Sequence, residues 1–159
     1  MKIQTILHAD KVQHLGMVEA GLREWAGGAD TLVNGVRFHG ADSVLLAALL
    51  SHPHYILRIF SSGDLNESVD GFAIERVGED LWLEGLVLWV TPEKRRGDLV
   101  ESYFRELPEL VRRSLLHGVR FDSTLTYWQH AAPRCGFSLV GSVQQQGGGA
   151  SVLRWEQGV

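Results

Sequence analysis

Between Leu81 and Leu116 the residue types are arranged for chemistry: LWLEGLVLWVTPEKRRGDLVESYFRELPELVRRSLL. An apolar run carries a single carboxylate, Glu84. A turn with Pro92 and three consecutive cations, Lys94, Arg95 and Arg96, follows it, and Gly97 and Asp98 then open an amphipathic segment. A strand that feeds a basic turn and a helix N-terminus is a place for phosphate, because the first-turn N–H groups are unpaired and the helix dipole is positive there. Glu84 has the apolar neighbours Trp82, Leu83 and Leu86, a setting that suits a proton-accepting carboxylate. Other reactive types are sparse. Cys135 is the only cysteine, which excludes an intrachain disulfide and a cysteine-based metal site. His52 and His54 straddle Pro53 at a chelating spacing, but the sequence supplies no further ligand and no metal is expected.

The elements that must position these residues fit one domain spanning 1–159, with hydrophobic residues at 45% and a formal charge of −4. That charge argues against a general nucleic-acid surface, although Arg112, Arg113 and Arg120 form a local basic cluster. No apolar run approaches the roughly 20 residues that span a membrane. The N-terminus is too short and polar for a signal peptide, so a cytoplasmic protein is expected.

In chain order, Met1 to Leu7 reads as a strand. Asp10 caps a helix whose apolar face is Val12, Leu15, Val18, Leu22 and Trp25, ended by Gly27 and Gly28. Asn34-Gly35 between short apolar runs predicts a hairpin over 31–38. Asp42 or Ser43 caps a second helix through Leu50, which His52-Pro53 ends. Tyr55–Ser61, Val69–Val77 and Leu81–Thr91 read as three antiparallel strands. The third alternates Trp82, Glu84, Leu86, Leu88 and Val90 on one face with Leu83, Gly85, Val87 and Trp89 on the other. Gly85 inside it points to a bulge or a close approach by ligand. Asp98 and Glu101 have capping-box spacing for the next helix. Its buried stripe is Leu99, Tyr103, Leu107, Leu110, Val111 and Leu115; Pro108 should kink or restart it, and Gly118 should cap its end. A strand over Val119–Leu125, a short helix over Thr126–Cys135 and a hairpin of strands over Phe137–Gln145 and Ala150–Trp155 complete the chain. The fold class is α/β, three-layered, with a mixed sheet of about seven strands and about four helices; the strand–helix–strand unit in the middle pairs in parallel.

That order, together with VTPEKRRGD (Val90–Asp98) and CGFSLVGS (Cys135–Ser142), resembles the GCN5-related N-acetyltransferase (GNAT) family. The first segment resembles the family's Val-x-Pro loop with an Arg or Gln three residues on, then glycines before the helix. The second resembles the Gly-Phe entry to its penultimate strand. The resemblance implies a three-layer fold, an N-acetyltransferase activity and acetyl-CoA as co-substrate.

By residue, it implies that Lys94, Arg95, Arg96, Gly97 and Asp98 receive the pyrophosphate. The backbone of Leu88, Trp89 and Val90 receives the pantetheine arm and thioester. Glu84 falls on the general-base position of the histone-acetyltransferase branch. The family's glycines fall on Asp98 and Val100 here, where Asp98 can cap the helix itself. The family's tyrosine acid falls on Ala132, leaving Tyr127 and His130 as substitutes. The reading is direct transfer of an acetyl group to a primary amine, on a small molecule or peptide, with a homodimer through the last hairpin possible. The alternative is a scaffold without acetyl-CoA turnover that binds or assembles, or uses another donor, nucleic-acid modification included. The acceptor would contact 27–42 and 144–151, whose residues single out no amine.

Overall fold

The computed structural model describes residues 1–26, 32–33, 36–37, 41–95, 97–123, 126–143 and 152–159. The Asn34-Gly35 turn, Arg96, and most of the segments expected to contact the acceptor lie outside these residues, as does the side chain of Trp25. Among the described residues the strands are β1 (Lys2–Ile6), β2 (Leu32–Val33), β3 (Val36–Arg37), β4 (Tyr55–Ser61), β5 (Gly71–Val77), β6 (Trp82–Val90), β7 (Gly118–Ser123), β8 (Ser138–Val143) and β9 (Val152–Gly158). The helices are α1 (Leu15–Ala26), α2 (Ala41–Ser51), α3 (Leu99–Arg113) and α4 (Tyr127–Arg134). Seven strands form one sheet in the order β1-β4-β5-β6-β7-β9-β8, and β2 and β3 form a separate antiparallel ribbon. Every neighbour in the large sheet is antiparallel except β6 and β7, which run in parallel across α3. The expected class, strand number and helix number all hold.

The sheet separates two cores. On one face α1 and α2 bury Val18, Leu22, Leu45 and Leu49 against Leu57, Ile59, Phe72 and Ile74. On the other, α3 and α4 bury Tyr103, Phe104, Leu107, Val111 and Trp128. There Phe104, Phe121 and Trp128 meet pairwise with ring centroids 4.6–4.9 Å apart, the spacing at which edge-to-face contact adds to area burial.

The chain enters through a 3-10 segment, His8–His14, rather than through a capped α-helix. Asp10 therefore lies inside that segment, and Val12 is exposed. Lys11 organises the turn instead. Its ammonium is buried and donates to the carbonyls of Leu49 (2.8 Å), His52 (3.3 Å) and Tyr55 (2.5 Å), accepting the role of a C-terminal cap for α2. Burial pushes its pKa down. Because α2 begins at Ala41, Asp42 and Ser43 occupy its first turn and do not precede it.

Helix α3 also differs from expectation. It runs unbroken through Pro108, so the proline does not restart it. Asp98 stands at its N-cap but makes no side-chain cap bond, so no capping box forms. Leu115 is 85% exposed, because the helix has already ended. Leu115 takes φ +59°, and Leu116 N–H and Leu115 N–H donate to Val111 and Arg112 carbonyls in a Schellman arrangement. The glycine expected there, Gly118, opens β7 instead, where a Cβ would lie 2.5 Å from the Trp82 ring.

Leu115→Gly should therefore stabilise the protein. Relief of the left-handed strain, about 1–2 kcal/mol, exceeds the extra chain entropy of glycine, about 0.5–1 kcal/mol. Urea unfolding should show a gain of about 0.5–1 kcal/mol; a loss would show that the Leu115 side chain contributes packing that outweighs the strain.

Candidate functional site

The site begins with a break in the sheet. Along β5 and β6, Ile74 faces Val87 and Glu75 faces Gly85, so Leu86 is an extra residue in a β-bulge. The glycine signal at 85 marked it. The bulge interrupts the simple alternation read from sequence: Leu86, Val87 and Trp89 turn to the α1–α2 core, and Leu83, Leu88 and Val90 to the α3–α4 core. Parallel pairing of β6 with β7 runs from Trp82↔Gly118 to Gly85↔Phe121 and ends there. Beyond Gly85 the ladder between the two strands is over while α3 and α4 still cover that face.

A cavity of about 270 Å³ fills the resulting space. Strand β6 lines it with Gly85 through Leu88, β7 with Phe121 to Ser123, α3 with Val100, Tyr103, Phe104 and Leu107, and α4 with Tyr127 and Trp128. A second depression lies at the N-terminus of α3, lined by Arg95, Gly97, Asp98, Val100, Glu101 and Tyr127. Val100 and Tyr127 border both, so the two form one groove from the helix N-terminus into the sheet.

At the outer end, Pro92–Lys94 forms a 3-10 turn before α3. The cations there have separate partners. Lys94 Nζ reaches Ser62 Oγ at 3.2 Å. Arg95 Nε donates to the Val90 carbonyl at 3.0 Å, and its Nη2 pairs with Glu24, which also accepts from Trp89 Nε1 at 3.2 Å. Asp98 is exposed and does not occupy the first-turn N–H groups, which leaves the helix N-terminus uncapped by it. Glu101 is turned sideways. It accepts from Arg134 (2.5 Å), Arg105 (3.2 Å) and the Tyr127 hydroxyl (3.2 Å), joining α3 to α4 across the mouth of the groove. Arg134 holds the Glu101 carboxyl below the usual carboxylate range against an opposing desolvation.

The predicted residues divide between locations. Leu88 lines the inner cavity, Val90 is buried against α3 and Trp89 stacks on Phe72 at 5.4 Å on the opposite face. Tyr127, 46% exposed, borders both parts of the groove. His130 is exposed on α4 and lines neither part. Glu84 lies outside the groove. Its neighbours in space are cations: Arg76 at 2.9 Å and Arg120 at 3.4 Å, with Asp80 also on Arg120 at 2.7 Å. It shares a separate cavity with His54, Arg76 and Arg120. Ala132, at the position matching the family tyrosine, is fully buried.

The sequence did not single out Glu75 and Tyr103. Both are buried in the inner wall, and the Tyr103 hydroxyl donates to the Glu75 carboxylate. Arg58 Nε donates to the same carboxylate at 2.6 Å, and Arg58 Nη1 to Thr5 Oγ1 at 2.5 Å. Burial, and then the Glu75 charge, push the Tyr103 phenol well above its ordinary range, so it stays protonated. The usable signal was a pair of charges, Arg58 and Glu75, at inward positions of adjacent predicted strands. Among the described residues no group of three or more His, Cys, Asp or Glu side chains could hold a metal. No helix among them is long and apolar enough to cross a membrane. Arg112 and Arg113 share the one carboxylate of Glu109, and Arg120 pairs with Asp80 and Glu84, so each cation of the basic cluster has a carboxylate partner.

The Glu101 tie has a defined pH signature. Its folded pKa is depressed, so its contribution is complete above the unfolded value, about 4.3, and is lost as pH falls through the lower folded value. Glu101→Gln should flatten the stability–pH curve between about pH 5 and 3 relative to the unmodified chain; parallel curves would show that the ion pair contributes nothing to folding.

No family model and no curated protein sequence matches the chain. Solved structures do. A GNAT-family acetyltransferase from Desulfovibrio desulfuricans superposes with a TM-score of 0.71 at 15% identity, covering 99% of this chain and 98% of that one. A ribosomal-protein-alanine N-acetyltransferase from Brucella melitensis gives 0.70 at 15% identity with both chains fully covered. A GNAT phosphinothricin acetyltransferase from Sinorhizobium meliloti, solved with acetyl-CoA, gives 0.69 at 14% identity over 99% of this chain and 88% of that one. Over its whole length, the chain has the fold of the GNAT acetyltransferases.

Proposed function

We propose that the protein is an acetyl-CoA-dependent N-acyltransferase that moves an acyl group directly to a primary amine. The observation that carries this is the groove: it starts at a helix N-terminus that Asp98 leaves uncapped and enters the sheet where β6 and β7 part. An anionic head fits the outer end, where the helix N–H groups and dipole meet Arg95, with Lys94 and Arg96 as its neighbours in sequence. A flexible arm fits between the strands, beside the backbone of Leu88 to Val90. Bound acetyl-CoA would supply the activated carbonyl. The chain would supply orientation, exclusion of water by the aromatic wall of Phe104, Phe121 and Trp128, and backbone donors near the thioester oxygen.

The amine must lose a proton, and Glu84 is the proposed acceptor; because it lies in the neighbouring cavity and not in the groove, the proton would reach it through water. Arg76 and Arg120 fix this carboxylate, and one of them must release an oxygen for the proton to be taken. Tyr127 is the proposed donor to the departing thiolate because it borders the groove; His130 would reach it only by a change of position. The acceptor is an amine on a small molecule or peptide. Phosphinothricin and ribosomal-protein-alanine acetyltransferases share this fold, so the fold does not choose between them. A homodimer through the outer strand β8 belongs to the same proposal, since Leu139 and Val140 are more than half exposed on that edge.

A second reading is a binding module without turnover. Arg95 and Lys94 already have protein partners, and Ala132 is buried where the acid would stand. Calorimetric titration with CoA and acetyl-CoA separates the two: the enzyme reading expects saturable binding, and no heat at millimolar ligand would remove it. Glu84→Gln should bind acetyl-CoA normally and slow turnover by about 10²–10⁴. Unchanged turnover would assign the base elsewhere.

A further inference from the structure

We infer that Glu24, on α1, is a positioning residue for the donor: it competes with the donor's pyrophosphate for the Arg95 guanidinium and so sets how tightly the donor is held. The inference rests on the acetyl-CoA reading above and concerns the anionic end of the groove. Arg95 is the cation in the lining of the outer depression. Its Nε is fixed on the Val90 carbonyl at 3.0 Å, at the end of β6, and its Nη2 donates to Glu24. The two contacts differ in kind. The carbonyl belongs to the strand and cannot leave. The ion pair joins two side chains that are each 45% exposed, which makes it a weak contact. A pyrophosphate carries more charge than a carboxylate and offers a guanidinium several acceptor oxygens, so it can take Arg95 from Glu24.

Glu24 stays beside the loop because α1 is anchored there. Gly21, one turn earlier, lies so close to the sheet that a Cβ would meet the Trp89 ring at 3.0 Å and the Phe72 ring closer still. Trp89 Nε1 also donates to Glu24 at 3.2 Å, a bond that does not involve Arg95. Arg95, and then Trp89, hold the Glu24 carboxyl below the usual carboxylate range, so it is ionised at neutral pH. Glu101, a carboxylate in the lining of the depression, is turned to Arg134 and Arg105, so the competitor for Arg95 is Glu24. Such a carboxylate keeps the guanidinium at the loop between turnovers. It also offers Arg95 a replacement partner as CoA leaves, which lowers donor affinity and favours release of the product.

The test is calorimetric titration of CoA into the unmodified full chain, Glu24→Gln, Arg95→Gln and the double variant. Glutamine keeps an oxygen for Trp89 and Arg95 and removes only the charge, and both positions are half-exposed, so the fold should hold. CoA should bind Glu24→Gln about two- to fivefold more tightly than the unmodified chain, the range set by a weak exposed ion pair. Arg95→Gln should weaken binding, and adding Glu24→Gln to it should bring no gain, because the two residues act as one unit. A merely structural role for Glu24 predicts equal or weaker binding in Glu24→Gln; that result would overturn the inference and leave the acyltransferase reading intact. A gain that survives in the Arg95→Gln background would also overturn it, by showing that Glu24 does not act through Arg95. Failure of all four chains to bind CoA would overturn both.

Discussion

The structure depends on the place where β6 stops pairing with β7. Parallel strands joined through a helix are normally covered on both faces and closed between them. Here the ladder ends at Gly85 and Phe121 while both strands continue. The bulge at Leu86 adds local twist to β6 at the same level. One irregularity therefore opens a slot in the middle of a sheet without exposing either core. A uniform sheet with the same composition would bury the same residues and have no groove.

A slot through a sheet must be held open, and the polar network beneath it does this. Thr5, Arg58, Glu75 and Tyr103 come from β1, β4, β5 and α3, and their hydrogen bonds run continuously under the inner cavity. Arg58 and Glu75 are both almost fully buried. A buried ion pair is a weak source of net stability, yet removing one partner is expensive. The network is therefore better understood as fixing the position of α3 over the strands than as adding to the folding free energy. The Glu101 cluster performs the corresponding task at the mouth, where α3 meets α4.

Much of this was legible in the sequence where one local rule decided the outcome. Apolar periodicity located the strands and helices of the large sheet, and Gly85 announced its bulge. The failures have two causes. Asp98 and Glu101 have the spacing of a capping box, but Arg134 and Arg105 offer Glu101 stronger partners from positions that sequence spacing does not show. Glu84 has apolar neighbours along the chain, but its neighbours across the sheet are Arg76 and Arg120. Leu115 keeps the helical register but falls beyond a turn that leucine rarely makes. For Leu115 the local turn that ends α3 outweighed a correct local preference; for Glu101 and Glu84 a contact between distant segments did so. Glu75 and Tyr103 were missed for the same reason, since only strand pairing brings them together.

Lys11 gives the chain a dependence on time as well as on space. Its three carbonyl acceptors belong to residues 49, 52 and 55, and β1 likewise pairs with β4. The first fifteen residues thus have no stable arrangement of their own until the chain has been made beyond Ser61. During synthesis this segment must wait, with its lysine solvated, while everything it will rest on emerges after it. The segment is made before β4 and can lock only once β4 has followed it.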